Sequence, residues 1–283
     1  MKEHEPVFSI VRMAKLMKVS RSGYYDWRSK KTSRRKVETD NLDKQIRELF
    51  ALHKKRYGAP RITDELRAQG YQVSRQRIAR RMREMGLRAQ GKRKFRVTTD
   101  SAHKLPVAAN VLQRDFTSTQ ANQKWVGDIT YIQTDEGWLY LAVVIDLYSR
   151  KVIGWSMSTR INAQLVCDAL MMALKARNFP KGVIVHTDRG IQYCAAAYQS
   201  IIRWYGLVCS MSRVRDCWDN AVAESFFHTL KTELIYVNRY ASRDEARQSI
   251  FHYIEMYYNR VRRHSTIGSL APVVFEEQYK FVA

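Results

Sequence analysis

The segment Trp125-Val126-Gly127-Asp128-Ile129-Thr130-Tyr131-Ile132 leads across Asp135-Glu136-Gly137 into Trp138-Leu139-Tyr140-Leu141-Ala142-Val143-Val144-Ile145-Asp146-Leu147. Both runs are rich in β-branched and aromatic residues and are separated by a turn, the composition of paired strands. A third run, Lys151 to Ser156, follows the turn Tyr148-Ser149-Arg150, and the three read as an antiparallel meander. Downstream the texture alternates: a helix from Asn162 to Arg177, a buried strand Gly182 to His186, a helix near Ala195 to Tyr205 and a strand Leu207 to Met211. Meander followed by alternation indicates a mixed five-stranded α/β sheet flanked by helices.

Within the first strand, period-two alternation places Val126, Asp128, Thr130 and Ile132 on one face, so a carboxylate sits among residues destined for burial. An ionised Asp there needs a cation, an arginine or a hydrogen-bond network, and of these only a metal also supplies catalysis. Asp188 follows the apolar run Val183 to His186 and precedes the turn Arg189-Gly190, at the carboxyl end of a strand where open α/β sheets bind ligands. Glu224 lies on a helix running from Asp219-Asn220, either of which can cap it, to about Ile235. Its core stripe is Ala223, Phe227, Leu230 and Leu234, and the neighbouring stripe holds Glu224, His228 and Lys231, the lysine placed for a phosphate.

Three acids from separate elements supply hard oxygen ligands suited to Mg²⁺, with Mn²⁺ as a substitute. Two such ions, roughly 3.5–4 Å apart, activate an attacking oxygen and stabilise a leaving one in an in-line displacement. His186, His228 and His264 read as hydrogen-bonding partners of phosphate or carboxylate, and Tyr193 as a base-stacking ring or a core residue.

The chain carries a net charge of +22, very unevenly spread. Residues 1–124 hold 31 basic and 12 acidic side chains against 18 and 15 in the remainder, or +19 and +3. That asymmetry calls for a polyanionic partner, nucleic acid foremost, because each Lys or Arg set on a phosphate releases condensed counterions. Residues 10–28 read as a short helix, a Val19-Ser20 turn and a second helix, in the manner of a helix-turn-helix, followed by a charged linker from Arg28 to Lys36. Leu42, Ile46, Leu49 and Phe50 begin a three-helix region; its second helix closes at Gly70 and its third runs from a Ser74 cap to Gly86. That third helix carries Arg75, Arg77, Arg80, Arg81 and Arg83 around an apolar stripe of Ile78, Met82 and Met85, the pattern of a groove-docking helix. Residues 88–123, with Lys92, Arg93 and Lys94, read as a basic connector able to track a phosphate backbone.

The expected organisation is therefore an N-terminal helical segment over 1–36, a three-helix DNA-binding domain over 37–87, the connector over 88–123, a catalytic core over 124–240 and a helical extension over 241–283. No stretch approaches the roughly 20 apolar residues of a membrane helix. The four cysteines lie too far apart for paired zinc-ligand spacing, which fits a reducing cytoplasmic home.

The strings Trp125 to Tyr131, His186-Thr187-Asp188-Arg189-Gly190-Ile191-Gln192-Tyr193, Ser210-Met211-Ser212-Arg213 and Asp219-Asn220-Ala221-Val222-Ala223-Glu224-Ser225-Phe226-Phe227 resemble insertion-sequence transposases of the IS-three family, specifically the second-reading-frame product OrfB. The likeness extends upstream to Tyr57-Gly58-Ala59-Pro60-Arg61-Ile62 and downstream through Tyr257-Tyr258-Asn259, Arg262, His264-Ser265, Gly268 and Pro272. It implies an RNase H-like integrase core in which Asp128, Asp188 and Glu224 form an Asp-Asp-Glu triad, with Lys231 the basic residue that follows the glutamate. It further implies a DNA transposase that nicks an element end and joins the exposed 3′ hydroxyl to a second strand, acting as a homo-oligomer on paired terminal inverted repeats and target DNA. A fusion or partnership with an upstream reading-frame product, and a place at the bacterial nucleoid, follow from the same likeness. A DNA-binding regulator with an inert second domain, and a nuclease that only hydrolyses, are the competing readings.

Overall fold

The computed structural model describes residues 1–29, 33–90, 106–213 and 217–279. The chain divides into two compact units, Met1–Ala89 and Gln90–Ala283.

In the first unit, α1 (Ile10–Leu16) starts at Ser9, whose hydroxyl accepts the Arg12 N–H, and α2 (Arg21–Ser29) follows. Burial here is sparse. Met13, Ala14 and Tyr24 are buried, whereas Met17 is exposed. Glu5 ties the pair together by accepting from the Tyr24 hydroxyl at 3.0 Å and pairing with Arg28.

α3 (Arg34–Leu52), α4 (Ala59–Ala68) and α5 (Arg75–Glu84) form the three-helix region. Helix α3 begins at Arg34, because the Ser33 hydroxyl accepts the Lys36 N–H. The expected linker end at Lys36 therefore lies inside a helix. Leu42, Ile46, Leu49, Phe50, Ile62, Leu66, Ile78 and Met82 make the core of this bundle, as their 3.6-residue spacing dictates. Gly70 at φ 90° and Gly86 at φ 68° end α4 and α5, a conformation that disfavours any residue with a Cβ.

The second unit is built on five described strands in the order β3-β2-β1-β4-β5. β1 (Lys124–Thr134), β2 (Gly137–Asp146) and β3 (Val152–Ser158) form the antiparallel meander, and β4 (Ile184–Thr187) and β5 (Val208–Met211) extend it in parallel. α6 (Ala163–Ala176), α7 (Ile191–Cys194) and α8 (Ala196–Trp204) cover one face. Trp125, Val144, Val183 and Val185 meet Leu170, Ala173, Tyr198 and Ile202 there in a single core. Helix α6 sits close on β3 because Gly154 has no side chain: a Cβ there would lie 2.7 Å from the Ala173 nitrogen and 2.8 Å from the Ala173 Cβ.

α9 (Ala221–Glu233), α10 (Arg243–His252), a wider π-type turn Tyr253–Tyr258 and α11 (Pro272–Tyr279) complete the unit. Residues 241–279 are bound into the same unit as the sheet. The Asn259 side chain pairs with Val152 as a strand would, accepting its N–H at 3.0 Å and donating to its carbonyl at 2.9 Å. Glu276 accepts from Ser149 at 2.6 Å, from Lys151 at 3.2 Å and from Arg177. Arg262 donates from Nη2 to buried Glu233 at 2.9 Å, and the Tyr253 hydroxyl donates to the same carboxylate at 2.8 Å.

Residues 106–123, read as the end of a loose connector, also pack on the sheet. Leu112 is buried, and the Ser210 hydroxyl accepts the N–H groups of Val111 and Leu112 at 2.9 and 3.1 Å. A segment whose backbone donors are satisfied by a buried serine is part of the fold. Among the described residues no helix is long and apolar enough to cross a membrane.

Candidate active site

The parallel ladder between β1 and β4 brings the first two acids together. Its last pair is Val126 with His186, and two residues further along each strand stand Asp128 and Asp188. Asp128 thus stands inside β1 and Asp188 just past the end of β4, at equivalent positions on neighbouring parallel strands. Asp128 also accepts the Ile129 N–H at 2.8 Å, and Asp188 accepts the Gly190 N–H at 2.9 Å. Gly190 leaves room in this turn: a Cβ would lie 3.0 Å from Asp188 Oδ1 and 2.7 Å from Gln192 Oε1, so both side chains would have to shift.

Glu224 sits in the first turn of α9 and is exposed, whereas Ala223, Phe226, Phe227 and Leu230 turn inward. Burial, then the charge of Asp188 and then that of Glu224 push the Asp128 pKa well above the ordinary carboxylate value. The Ile129 N–H and Lys231 oppose the shift. Partial desolvation raises Glu224 as well. Asp128 therefore lies within electrostatic reach of both Asp188 and Glu224. They do not close into a tight cluster: among the described residues no three carboxylate, imidazole or thiol groups converge as a ready ligand set.

Lys231 is buried, with Nζ 4.6 Å from the centre of the Tyr131 ring. Burial lowers its pKa and the Asp128 charge opposes the change. It was expected on a phosphate-facing stripe; the structure sets it against an aromatic ring beside the acids.

His186 is buried against two serines, with Asp219 also nearby. Its Nδ1 lies 2.8 Å from Ser210 Oγ and its Nε2 3.2 Å from Ser212 Oγ. Since Ser210 Oγ already accepts two backbone N–H groups, its own proton goes to Nδ1, leaving Nε2–H to donate to Ser212. Burial brings the His186 pKa down to about 4, so the ring is neutral. His264 pairs with the Tyr258 hydroxyl at 2.9 Å. Tyr193 belongs to the core beneath Asp128 and Asp188, edge-on to Tyr198. It is a packing residue.

Two residues read from the sequence only as possible helix caps prove central. Neither Asp219 nor Asn220 caps α9 with its side chain. Asp219 is fully buried and accepts from the Arg213 backbone at 2.8 Å, from Arg213 Nε and Nη2 at 3.1 and 3.0 Å, from Arg114 Nε at 2.9 Å and from Asn110 Nδ2 at 2.8 Å. Asn220 donates from Nδ2 to the Gly127 carbonyl at 3.2 Å, joining the start of α9 to the residue before Asp128. The adjacent polar pair Asp219-Asn220 was the signal, but its partners lie up to a hundred residues away.

Of the arginines expected to face DNA on α5, Arg75 and Arg80 are exposed and Arg77 is part-buried. Arg81 is committed to packing: its Nε donates to Asp43 Oδ1 at 2.7 Å, and it also pairs with Glu84. Lys92, Arg93 and Lys94 lie outside the described residues.

A mixed five-stranded sheet with one acid inside β1, a second just past β4 and a third in the first turn of α9 is the arrangement of an integrase-type core, and family models agree. An "Integrase core domain" model matches residues 118–217, a second integrase core model residues 205–272, and an "HTH-like domain" model residues 38–95. Transposase InsF for insertion sequence IS3A of Escherichia coli (strain K12) is 52% identical over 278 residues, covering 98% of this chain and 96% of that protein. The insertion element IS600 31 kDa protein of Shigella sonnei is 45% identical over 271 residues, covering 96% of this chain and 100% of that protein. Among solved structures, the catalytic core domain of HTLV-2 integrase in complex with magnesium matches 56% of this chain and 99% of that chain, at 15% identity and a TM-score of 0.44. The chain belongs to the IS3 family of insertion-sequence transposases.

Proposed function

We propose that this transposase cuts and rejoins DNA at a site made by Asp128, Asp188 and Glu224, which hold divalent cations, Mg²⁺ in the first instance. The observation that carries the reading is geometric: Asp128 and Asp188 stand two residues beyond the last pair of the β1–β4 ladder, and Glu224 lies in the first turn of α9. Asp128 feels both Asp188 and Glu224, and the nearby lysine does not outweigh them. Such a group of hard carboxylate oxygens matches what Mg²⁺ or Mn²⁺ requires. When bound, the cations supply Lewis acidity at phosphate and charge neutralisation.

The chain's own residues do the rest. Asp128 and Asp188 are fixed by their backbone hydrogen bonds and by the register of β1 and β4, while exposed Glu224 lies open to the substrate side. In the first reaction water attacks a phosphodiester at the element end, the P–O3′ bond breaks, and a 3′ hydroxyl and a 5′ phosphate result. In the second, that 3′ oxygen attacks a target phosphodiester: one P–O bond forms, one breaks, and the displaced 3′ oxygen takes up a proton. Bond number is conserved, so no external energy source is needed. Lys231, beside Asp128, adds positive charge where the phosphate negative charge accumulates.

The HTH-like domain delivers DNA, with Arg75, Arg77 and Arg80 on the surface of α5 and the basic run Lys92 to Lys94 following the backbone. We assign the substrate to terminal inverted repeats plus target DNA, bound by an oligomer on paired ends and, in the fused form, with an upstream reading-frame product, at the nucleoid in the bacterial cytoplasm. The test is a joining assay with candidate element ends and Mg²⁺. The parent chain yields covalently joined products, whereas Asp128→Asn, Asp188→Asn and Glu224→Gln each bind DNA and join none. Hydrolysed ends without joined products would reduce the activity to that of a nuclease.

A further inference from the structure

The Asn220 side chain is 5% exposed, and its Oδ1 is buried without a hydrogen-bond partner. Orphaned buried acceptors are uncommon in folded proteins, and each one calls for a water or an ion. Asn220 occupies the N-cap of α9, where an asparagine oxygen ordinarily turns back onto an N–H of the first helical turn. Here φ is −118° and ψ is 27°, and the side chain makes no cap bond. Its amide nitrogen is spent instead on the Gly127 carbonyl at 3.2 Å. That bond fixes the side chain next to the peptide that leads into Asp128, at the base of the helix that carries Glu224. The oxygen is thus withheld from the helix, on a side chain tied to the residue before Asp128.

We infer that Asn220 is a positioning residue of the cation site: its Oδ1 accepts a hydrogen bond from a water that the divalent ion keeps, beside Asp128. The inference rests on the cation reading of the three acids. Mg²⁺ is bound through few protein ligands and retains several waters, and outer acceptors of this kind set affinity as well as orientation. A single amide then does two things. Its nitrogen couples α9 to β1, and its oxygen couples the same junction to the hydrated ion, so the distance between Asp128 and Glu224 and the occupancy of the site become linked.

The test titrates Mn²⁺ into the full chain, stripped with chelator, by calorimetry, with the cation-free melting temperature recorded alongside. Asn220→Ala weakens Mn²⁺ binding about tenfold. Asn220→Asp retains an oxygen and binds Mn²⁺ at least as tightly as the parent, although the N–H given to Gly127 is gone. A purely structural role would lower the melting temperature of both variants and leave Mn²⁺ affinity alone, so parent-like affinity in Asn220→Ala overturns the inference. If Asn220→Ala does not fold, Asn220→Asp decides: loss of Mn²⁺ binding in that folded variant overturns it equally. Asp128→Asn separates the two readings. If it loses Mn²⁺ binding while Asn220→Ala does not, only the role of Asn220 falls; if the parent itself binds no Mn²⁺, the cation site falls with it.

Discussion

Arg213 grips Asp219 three times, through its backbone N–H at 2.8 Å, Nε at 3.1 Å and Nη2 at 3.0 Å, and so fixes the chain just before the helix that carries Glu224. Side-chain hydrogen bonds from Arg213 are the main cause that holds the Asp219 pKa below the ordinary range, with burial opposing. A depressed folded-state pKa means that the stabilisation is complete above the unfolded value of about 3.9 and is lost as pH falls below it. Asp219→Asn accordingly flattens the acid limb of the stability profile. Asp219→Ala destabilises by about 1–3 kcal/mol at neutral pH in urea unfolding. Parent-like stability in both variants would contradict this account.

Asp128 shows the opposite sign. Its raised pKa means that the folded state holds the proton more tightly than the unfolded chain, so without cation the protein gains stability as pH is lowered from neutral toward the carboxylate range. Asp128→Asn removes that dependence and raises the chelated melting temperature at neutral pH, while joining falls by roughly three orders of magnitude. A variant both inactive and less stable in chelator would show that the carboxylate is structural.

The buried pair Glu233–Arg262 predicts a marked asymmetry between single and double replacements, because both side chains are almost wholly enclosed. Arg262→Met leaves Glu233 uncompensated and destabilises by about 3–5 kcal/mol, whereas combining it with Glu233→Met recovers much of the loss. The double-mutant cycle by chemical denaturation measures the coupling.

Gly154→Ala forces its methyl group into the backbone of α6 at Ala173. Overpacking of this kind destabilises by about 1–3 kcal/mol, and calorimetry of the second unit's transition reads it directly. An unchanged melting temperature would mean that α6 can retreat from β3 without penalty.

On α5, Arg81 and its exposed neighbours separate by readout. Arg75→Ala and Arg80→Ala leave stability unchanged and each reduce the salt slope of DNA binding by about one. Arg81→Ala lowers the stability of the first unit, because Asp43 loses the partner whose hydrogen bonds keep its pKa low.

The sheet, its mixed topology and the placement of Asp128 and Asp188 were legible because strand periodicity and turn residues are local signals, and the β1–β4 register only brought the two acids side by side. Glu224 was legible as a helix position, though nothing local told that it would remain exposed while Lys231 went under cover. What escaped reading was long-range polar pairing. Asp219 with Arg114 and Asn110, Asn259 with Val152, and Glu276 with Arg177 each join residues about a hundred positions apart. No periodicity announces such bonds, and a charged residue read alone is assigned to the surface. The connector was misread for the same reason: Leu112 and the backbone of Val111 are anchored by a serine on β5.

The salt bridge from Arg177 to Glu276 sets an order on biosynthesis. A ribosome has delivered all three acids, the entire sheet and Arg177 well before it delivers Glu276, and until then Arg177 has Asp146 alone among its described ion-pair partners. A message truncated after Lys231 therefore encodes every proposed catalytic group on a core that lacks this clasp and the Asn259 bonds to the outer strand. Such a product leaves the outer strand and Arg177 without these contacts and is a target for proteolysis.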